Sequence, residues 1–291
     1  TVREILKYSS NIGSAKIAQK MGKEKFSNYI QNFGFGQKTG IELPGESTGL
    51  VRPVKNWVPV DTAMIAFGQG ISVTAIQLIS AVSAIANNGV LMKPYIVRGF
   101  ADNNNRLIKL YTPTVVRKVI SPNVAKRLSN MLTEVVGAED GTGKNAHIVN
   151  VAVAGKTGTS QKFDAAHGVY SSQRVRTSFM GFFPADNPQV AILVILDEPQ
   201  RDKWGGVAAA PVFKNIGEQI LNCIKTNIRE TEPPVFEKEP NKVQLVSAQQ
   251  TLLPQIPAEQ DESTMPDFTG LTIREAMKKA KSESIELRVS G

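Results

Sequence analysis

The chain has 291 residues, 41% of them apolar, which allows one large core and a smaller appendage. No window approaches the roughly 18 consecutive apolar residues of a membrane-spanning helix, and a single cysteine, Cys223, excludes an internal disulfide or a cysteine-cluster metal site. The net charge of +8 is uneven, with 26 Lys+Arg against 15 Asp+Glu in residues 1 to 225 and 8 against 11 in residues 226 to 291, and the scattered cations, with no aromatics interleaved, argue against a nucleic-acid partner.

Thr1 opens directly into a helix-like pattern, with neither initiator Met nor a basic-then-apolar leader, so a fragment or a processed chain is expected. Ile12, Ile17, Met21, Phe26 and Ile30 recur at helical spacing and end in glycine. "FGFGQKTGIELPGESTG" is dense in Gly and Pro and reads as loop. A helix from about Thr74 to Asn87 is apolar nearly all round, which places it in the core. "YIVRGFADNNNRLIKLYT" reads as a hairpin with an Asn-rich turn. Ser121 and Pro122 cap and open a helix through Val136, and "DGTGKNA" then reads as a flexible loop.

Three strands follow, at 150–158, 174–184 and 189–197, and their short connections imply an antiparallel sheet. A helix from Val207 to about Lys225 comes next and, with the earlier helices, covers the sheet. Cys223, in "VFKNIGEQILNCI", reads as a buried residue of that helix. His147 and His167 share no metal-ligand spacing and read as surface or loop residues. Residues 226–263 are rich in Pro, Glu and Gln and read as a linker. Residues 264–291 look ordered again, as a helix capped by Thr272 and a strand, "IELRVSG", but are too few to bury a core alone. The expected fold class is therefore α+β: an antiparallel sheet flanked by helices, plus a truncated small αβ unit.

The chemistry concentrates in "NVAVAGKTGTSQKF". Valines at 149, 151 and 153 alternate on one face of a strand, and the pattern gives way at Gly155 to Lys156, Thr157, Gly158 and Thr159. An ammonium beside a hydroxyl, followed by glycine, makes a compact carboxylate site against which an extended peptide can lie. "YSSNIGSAKIA" puts Ser9, Ser10 and Asn11 just before a helix, either as an N-cap cluster or as catalytic groups. The same Lys-Thr-Gly triplet occurs at residues 38–40, but there it follows a glycine-rich loop and has no strand to present a peptide. Ser121-Pro122-Asn123 mimics Ser-x-Asn, and a helix cap accounts for it.

Ser-x-Asn followed far downstream by Lys-Thr-Gly on a strand is the motif order of a serine acyltransferase site. With "GFGQKTGIELPGESTG", "AFGQGISVTAIQLISAVSAIANNGVLMKPYIV", "VAGKTGTSQK" and "TSFMGFFPADNPQVAILVILDEP", residues 1 to 225 resemble the transpeptidase domain of class B penicillin-binding proteins, the peptidoglycan D,D-transpeptidases. "MPDFTGLTIREAMKKAKSESIELRVSG", residues 265–291, looks like the first half of a PASTA domain. No serine here has a lysine three positions on, so the Ser-x-x-Lys motif that carries the nucleophile and its base is missing. The expectation is the downstream part of a transpeptidase, inactive as it stands, rather than a degenerate pseudoenzyme.

The resemblance implies roles. Ser9 relays a proton to the leaving nitrogen, and Asn11 holds the absent lysine and a substrate amide. Lys156 raises the positive potential, Thr157 and Thr159 bind the terminal carboxylate of the peptide or of a β-lactam, Gly158 admits the substrate backbone, and the Thr159 N–H is one oxyanion donor. Gln69 and Gly70 are further substrate-binding candidates, which a tight turn explains equally well. The implied partners are stem peptides on lipid II-derived glycan strands, β-lactams, a SEDS-type glycosyltransferase and divisome proteins. No cofactor or metal is implied. The implied location is extracytoplasmic, anchored to the plasma membrane by an N-terminal helix outside this chain. Two rivals remain: a non-catalytic muropeptide-binding or scaffolding module, and a serine β-lactamase or β-lactam sensor, against which the long "GFGQKTGIELPGE" connection and the PASTA-like appendage argue.

Overall fold

Hydroxyl caps start most of the helices. Thr1 Oγ1 accepts from the Glu4 amide at 3.3 Å, opening α1 (Val2–Lys7). Ser10 does the same for α2 (Asn11–Met21), accepting from Gly13 N at 3.1 Å. The expected single helical stretch is in fact two, because Gly22 stands at φ 86°, where no α-helix can continue, and α3 (Lys23–Asn32) starts after it. Ile12, expected on the apolar face, is 71% exposed. The sequence did not single out α4 (Pro59–Ala66), which begins on a proline, with the Asp61 carboxylate accepting from Val58 N at 2.8 Å. Thr74 and Gln77 exchange hydrogen bonds of 3.0 and 3.1 Å ahead of α5 (Ala75–Ala86), a core helix as expected.

The computed structural model describes residues 1–103, 106–164 and 168–230. The chain divides into two units, Thr1–Pro234 and Val235–Gly291. The expected PASTA half, most of the expected linker and His167 lie outside the described residues. Within them, β1 (Val90–Met92) pairs with β4 (Val115–Lys118), and β2 (Gly99–Ala101) with β3 (Leu107–Leu110), the expected hairpin. Ser121 accepts from Val124 N at 3.3 Å and Pro122 opens α6 (Pro122–Gly137), also as expected. No helix among the described residues is long and apolar enough to cross a membrane.

The main sheet has three antiparallel strands in the order β5 (Ala154–Asp164), β6 (Val169–Phe183) and β7 (Val190–Asp197). Alternation along β6 sends Phe179 and Phe183 to one face, where they join Val194, Ala209, Ala210 and Phe213, and sends Phe182 to the other, with Val82, Leu132 and Val135. The last helix, α7 (Gly205–Glu230), covers the first face, and α5 and α6 cover the second, so the sheet is the middle layer of an α+β fold. Phe213 meets Phe179 and Phe183 edge-on, with ring centroids 4.8 and 5.9 Å apart. Gly155 lets this cluster close, since a Cβ there would strike the Phe179 ring.

Four expectations are corrected. β5 starts at Ala154, not 150, and runs on to Asp164, so Lys156 lies near its start rather than at its end. The valine alternation misled: Ile148 bridges Val151 around Asn150 at φ 62°, and Val149 is 65% exposed. The "DGTGKNA" loop is packed rather than loose: it contains a 3₁₀ turn at Lys144–Ala146, Ala146 is fully buried, and Gly143 N donates to Val135 O at 2.9 Å. Cys223 is exposed, because the buried stripe of α7 passes through Gly205, Ala209, Phe213 and Gly217, and position 223 is turned away from it.

Candidate active site

The fold divides the two readings of Ser9-Ser10-Asn11 between the three residues. Ser10 is the cap. Ser9, between α1 and α2, holds a left-handed φ of 54°, costly for a residue with a Cβ and characteristic of functional turns. Asn11 is the exposed first residue of α2, and its side chain makes no hydrogen bond among the described residues.

The turn at Ser9 brings its hydroxyl to β5. Lys156, paired with Met180 of β6, donates from Nζ to Ser9 Oγ at 2.7 Å, to the Thr157 carbonyl at 3.1 Å and to Thr157 Oγ1 at 3.4 Å. No carboxylate pairs with this ammonium among the described residues. Burial without a counter-charge pushes its pKa down to about 8. A half-buried cation lacking an anion is the feature expected of a group that receives one.

The neighbours of Lys156 differ in availability. Thr157 Oγ1 donates to Thr142 Oγ1 at 3.5 Å, so its proton is used within the protein. Thr159 Oγ1 accepts from Gly205 N at 3.2 Å, at the start of α7, which leaves its hydroxyl proton to donate outward. Gly158 accommodates this molecule's own parts: a Cβ there would strike Ser178 Oγ, and a Cβ on Gly205 would strike the Gly158 carbonyl. Trp204, just before Gly205, is 70% exposed. Sequence reading passed over Trp204 and Thr142, whose signals were an aromatic ahead of Gly-Gly and a hydroxyl between two glycines.

Gln69 and Gly70 do not join the strip. Gln69 N bonds to Met64 O at 2.9 Å, and Gly68 and Gly70 stand at φ 90° and 72°, which makes them the tight turn after α4. Neither forms a hydrogen bond to residues 156–159 among the described residues. The second Lys-Thr-Gly wraps a carboxylate of its own. Glu46 accepts from Thr39 N at 2.6 Å, Thr39 Oγ1 at 2.5 Å and Gly40 N at 3.1 Å, and the Thr39 contact holds its pKa below the usual carboxylate range. Ser121 is a cap, and His147 is exposed, as read. No group of three or more His, Cys, Asp or Glu among the described residues is placed to hold a metal ion.

Comparison with known proteins covers the same span. The family described as penicillin binding protein transpeptidase domain matches residues 1–218. Stage V sporulation protein D of Bacillus subtilis is 42% identical over 223 residues, covering 76% of this chain and 34% of that protein. Penicillin-binding protein PbpB of Mycolicibacterium smegmatis is 36% identical over 220 residues, covering 73% of this chain and 34% of that protein. The crystal structure of penicillin binding protein 3 from Mycobacterium tuberculosis, complexed with aztreonam, superimposes with a TM-score of 0.71 at 33% identity, covering 77% of this chain and 52% of that one. The chain thus spans about a third of the length of the curated relatives it matches. The lysine strip, the Ser9 turn and the three-stranded sheet all fall inside the matched residues, and the chain belongs to the penicillin-binding protein transpeptidase domain family.

Proposed function

We propose that these residues supply the carboxylate-binding and proton-relay half of a peptidoglycan D,D-transpeptidase of cell-division or sporulation type. The observation that carries this reading is the Lys156 ammonium, without a carboxylate partner among the described residues and 2.7 Å from the Ser9 hydroxyl, near the exposed Thr159 whose Oγ1 accepts from Gly205 N. The nucleophilic serine and its lysine base come from a Ser-x-x-Lys segment that is not among these 291 residues.

The serine oxygen attacks the carbonyl between the two terminal D-Ala residues. The C–N bond breaks, terminal D-Ala leaves, and an amine of a neighbouring stem peptide then displaces the serine to form the cross-link. Lys156 and Thr159 hold the terminal carboxylate of the donor. Ser9, hydrogen-bonded to Lys156, passes a proton to the leaving nitrogen, and the Thr159 N–H helps to hold the oxyanion. A β-lactam presents an anionic group in the same place beside a strained amide, so it is bound and acylates the serine; the aztreonam complex of the related mycobacterial protein supports the binding of such compounds.

The family resemblance supports the remaining parts of the reading. Residues 1–225 are the transpeptidase part, 226–263 a linker and 264–291 the start of a PASTA domain. The enzyme works on the extracytoplasmic side, anchored by a membrane helix outside this chain, on lipid II-derived strands, beside a SEDS-type glycosyltransferase and division proteins. Fluorescent-penicillin labelling of a protein that joins residues 1–291 to its Ser-x-x-Lys segment tests the chemistry. A hydroxylamine-sensitive adduct, absent from residues 1–291 alone, is expected. No labelling of the joined protein, or equal labelling of the chain alone, contradicts it.

A further inference from the structure

A serine held at φ 54° does not keep its place by backbone preference, so its position must be fixed from outside. Segment 140–142 supplies the fixing. The Thr142 hydroxyl donates to the Lys7 carbonyl at 2.9 Å, and the Thr142 amide reaches the same oxygen at 3.4 Å. Its one hydroxyl proton being used there, Thr142 Oγ1 acts as acceptor towards Thr157, 3.5 Å away. Lys7 precedes Ser9 by two residues and Thr157 follows Lys156 by one, so a single hydroxyl ties both sides of the Ser9–Lys156 contact. Asp140 adds a second tie, accepting from Tyr8 Oη at 2.7 Å and pairing with Lys7 Nζ at 2.5 Å.

The segment is itself held from behind. Gly143 N donates to Val135 O at 2.9 Å, at the end of α6, and Gly206 packs so closely on the Thr142 carbonyl that a Cβ there would collide with it. Thr142 therefore touches three elements at once: the α1 end and β5 through its hydroxyl, and the first turn of α7 through its carbonyl.

We propose that Thr142 is a positioning residue of the transfer site, setting Ser9 at hydrogen-bond distance from Lys156 through its bonds to the Lys7 carbonyl and the Thr157 hydroxyl. The inference rests on the transpeptidase reading. It has a corollary for recognition: with its proton engaged by Thr142, Thr157 orients the strip, and the ligand carboxylate falls to Thr159 and Lys156.

The test is second-order acylation by a fluorescent penicillin, followed across pH, in the protein joining residues 1–291 to its Ser-x-x-Lys segment. Thr142→Val should lower the rate by on the order of ten- to a hundredfold, the scale of a small misplacement of catalytic groups. Its alkaline limb should move away from that of the unsubstituted protein, because Ser9 no longer sits on Lys156, and Thr142→Ser should restore both. Thr157→Val should reproduce the loss, and the double variant should be no slower than the worse single, since both break one chain of bonds. A Thr142→Val protein with unchanged rate and unchanged pH profile overturns the inference. Should that variant fail to fold, an unaffected Thr157→Val overturns it equally. Lys156→Ala separates the two levels: if that protein acylates normally the transpeptidase reading of the strip fails, whereas if only Lys156→Ala is impaired the reading stands and the role of Thr142 falls.

Discussion

Lys156 Nζ donates to Ser9 Oγ at 2.7 Å across 147 positions of sequence, and no carboxylate among the described residues shares the ammonium. A cation in a half-buried setting is costly unless something compensates it. On the proposed reading the ligand's carboxylate supplies the compensating charge, and the contact is the centre of the transfer site.

The pKa of about 8 gives opposite pH dependences for chemistry and stability. Below about 8 the lysine is charged and can hold a carboxylate; above it the charge is lost. The second-order acylation rate, which reports the free enzyme, should therefore fall above pH 8 by roughly tenfold per unit at its steepest. Stability should move the other way. The folded value lies below the ordinary 10.5, so between about 8 and 10.5 the unfolded chain binds more protons, and stability rises with pH across that window. Acylation rates and melting curves from pH 7 to 10.5 check both, and a rate rising through pH 8 would reverse the role given to the ammonium.

Ser9 and Ser10 should respond oppositely to alanine. Ser10→Ala removes the α2 cap and should cost about 1 kcal/mol of stability. Ser9→Ala keeps the cap and should leave the melting temperature nearly unchanged while slowing acylation. Thermal melts and acylation rates of the two proteins check this; a Ser10→Ala protein that is catalytically impaired but fully stable would contradict it.

Phe213 is fully buried against Phe179 and Phe183 beneath the strip. Phe213→Ala should destabilise by about 3–5 kcal/mol, the cost of an aromatic lost from a core. Denaturant titration measures it, and a loss below 1 kcal/mol would show that α7 does not hold the sheet as described.

Gly206→Ala should be disproportionately harmful for a single methyl, because the new atom meets the Thr142 carbonyl, which is backbone and cannot rotate away. Overpacking of this kind typically costs about 1–3 kcal/mol. Acylation should fall with it, since Thr142 shifts. Gly217→Ala, on the same helix, would meet the Ile148 and Phe183 side chains instead, and its effect should be on stability alone. Melting temperatures and acylation rates of the pair separate the two, and equal acylation by both would contradict the coupling through Thr142.

What was legible in the sequence was what local pattern encodes. The cap cluster at Ser9–Asn11, the cap at Ser121, the strand at 174–184 and the apolar run from Thr74 to Asn87 each carry their own signal. The Lys156 strip stood out because charge and hydroxyls interrupt an apolar strand. What was not legible depends on distant partners. The valines at 149, 151 and 153 look like strand until Asn150 turns the chain with a positive φ, and nothing in the pattern records that. The glycines around Thr142 suggest looseness, yet a Cβ at Gly141 would strike the Val135 carbonyl near the end of α6 and one at Gly143 the Phe179 ring, so they serve close packing. Helical apolarity alone places Cys223 inside, whereas the buried stripe of α7 is set by the sheet beneath it.

The two Lys-Thr-Gly triplets offer the most direct measurement, because sequence identity treats them alike and the structure does not. Lys38 lies outside any strand, beside a threonine and a glycine already bound to Glu46. Lys156 lies on β5 against Ser9, with no anion of its own among the described residues. Second-order acylation by penicillin of the Lys156→Ala and Lys38→Ala proteins, each with its Ser-x-x-Lys segment in place and its melting temperature recorded, compares them. Losing a charge-assisted carboxylate contact costs about 1.5–3 kcal/mol, so Lys156→Ala should be slower by roughly ten- to more than a hundredfold. Lys38→Ala should stay within about 0.5 kcal/mol of the parent, as surface substitutions do. Equal losses, or a larger loss at Lys38, would put the carboxylate site on the other triplet.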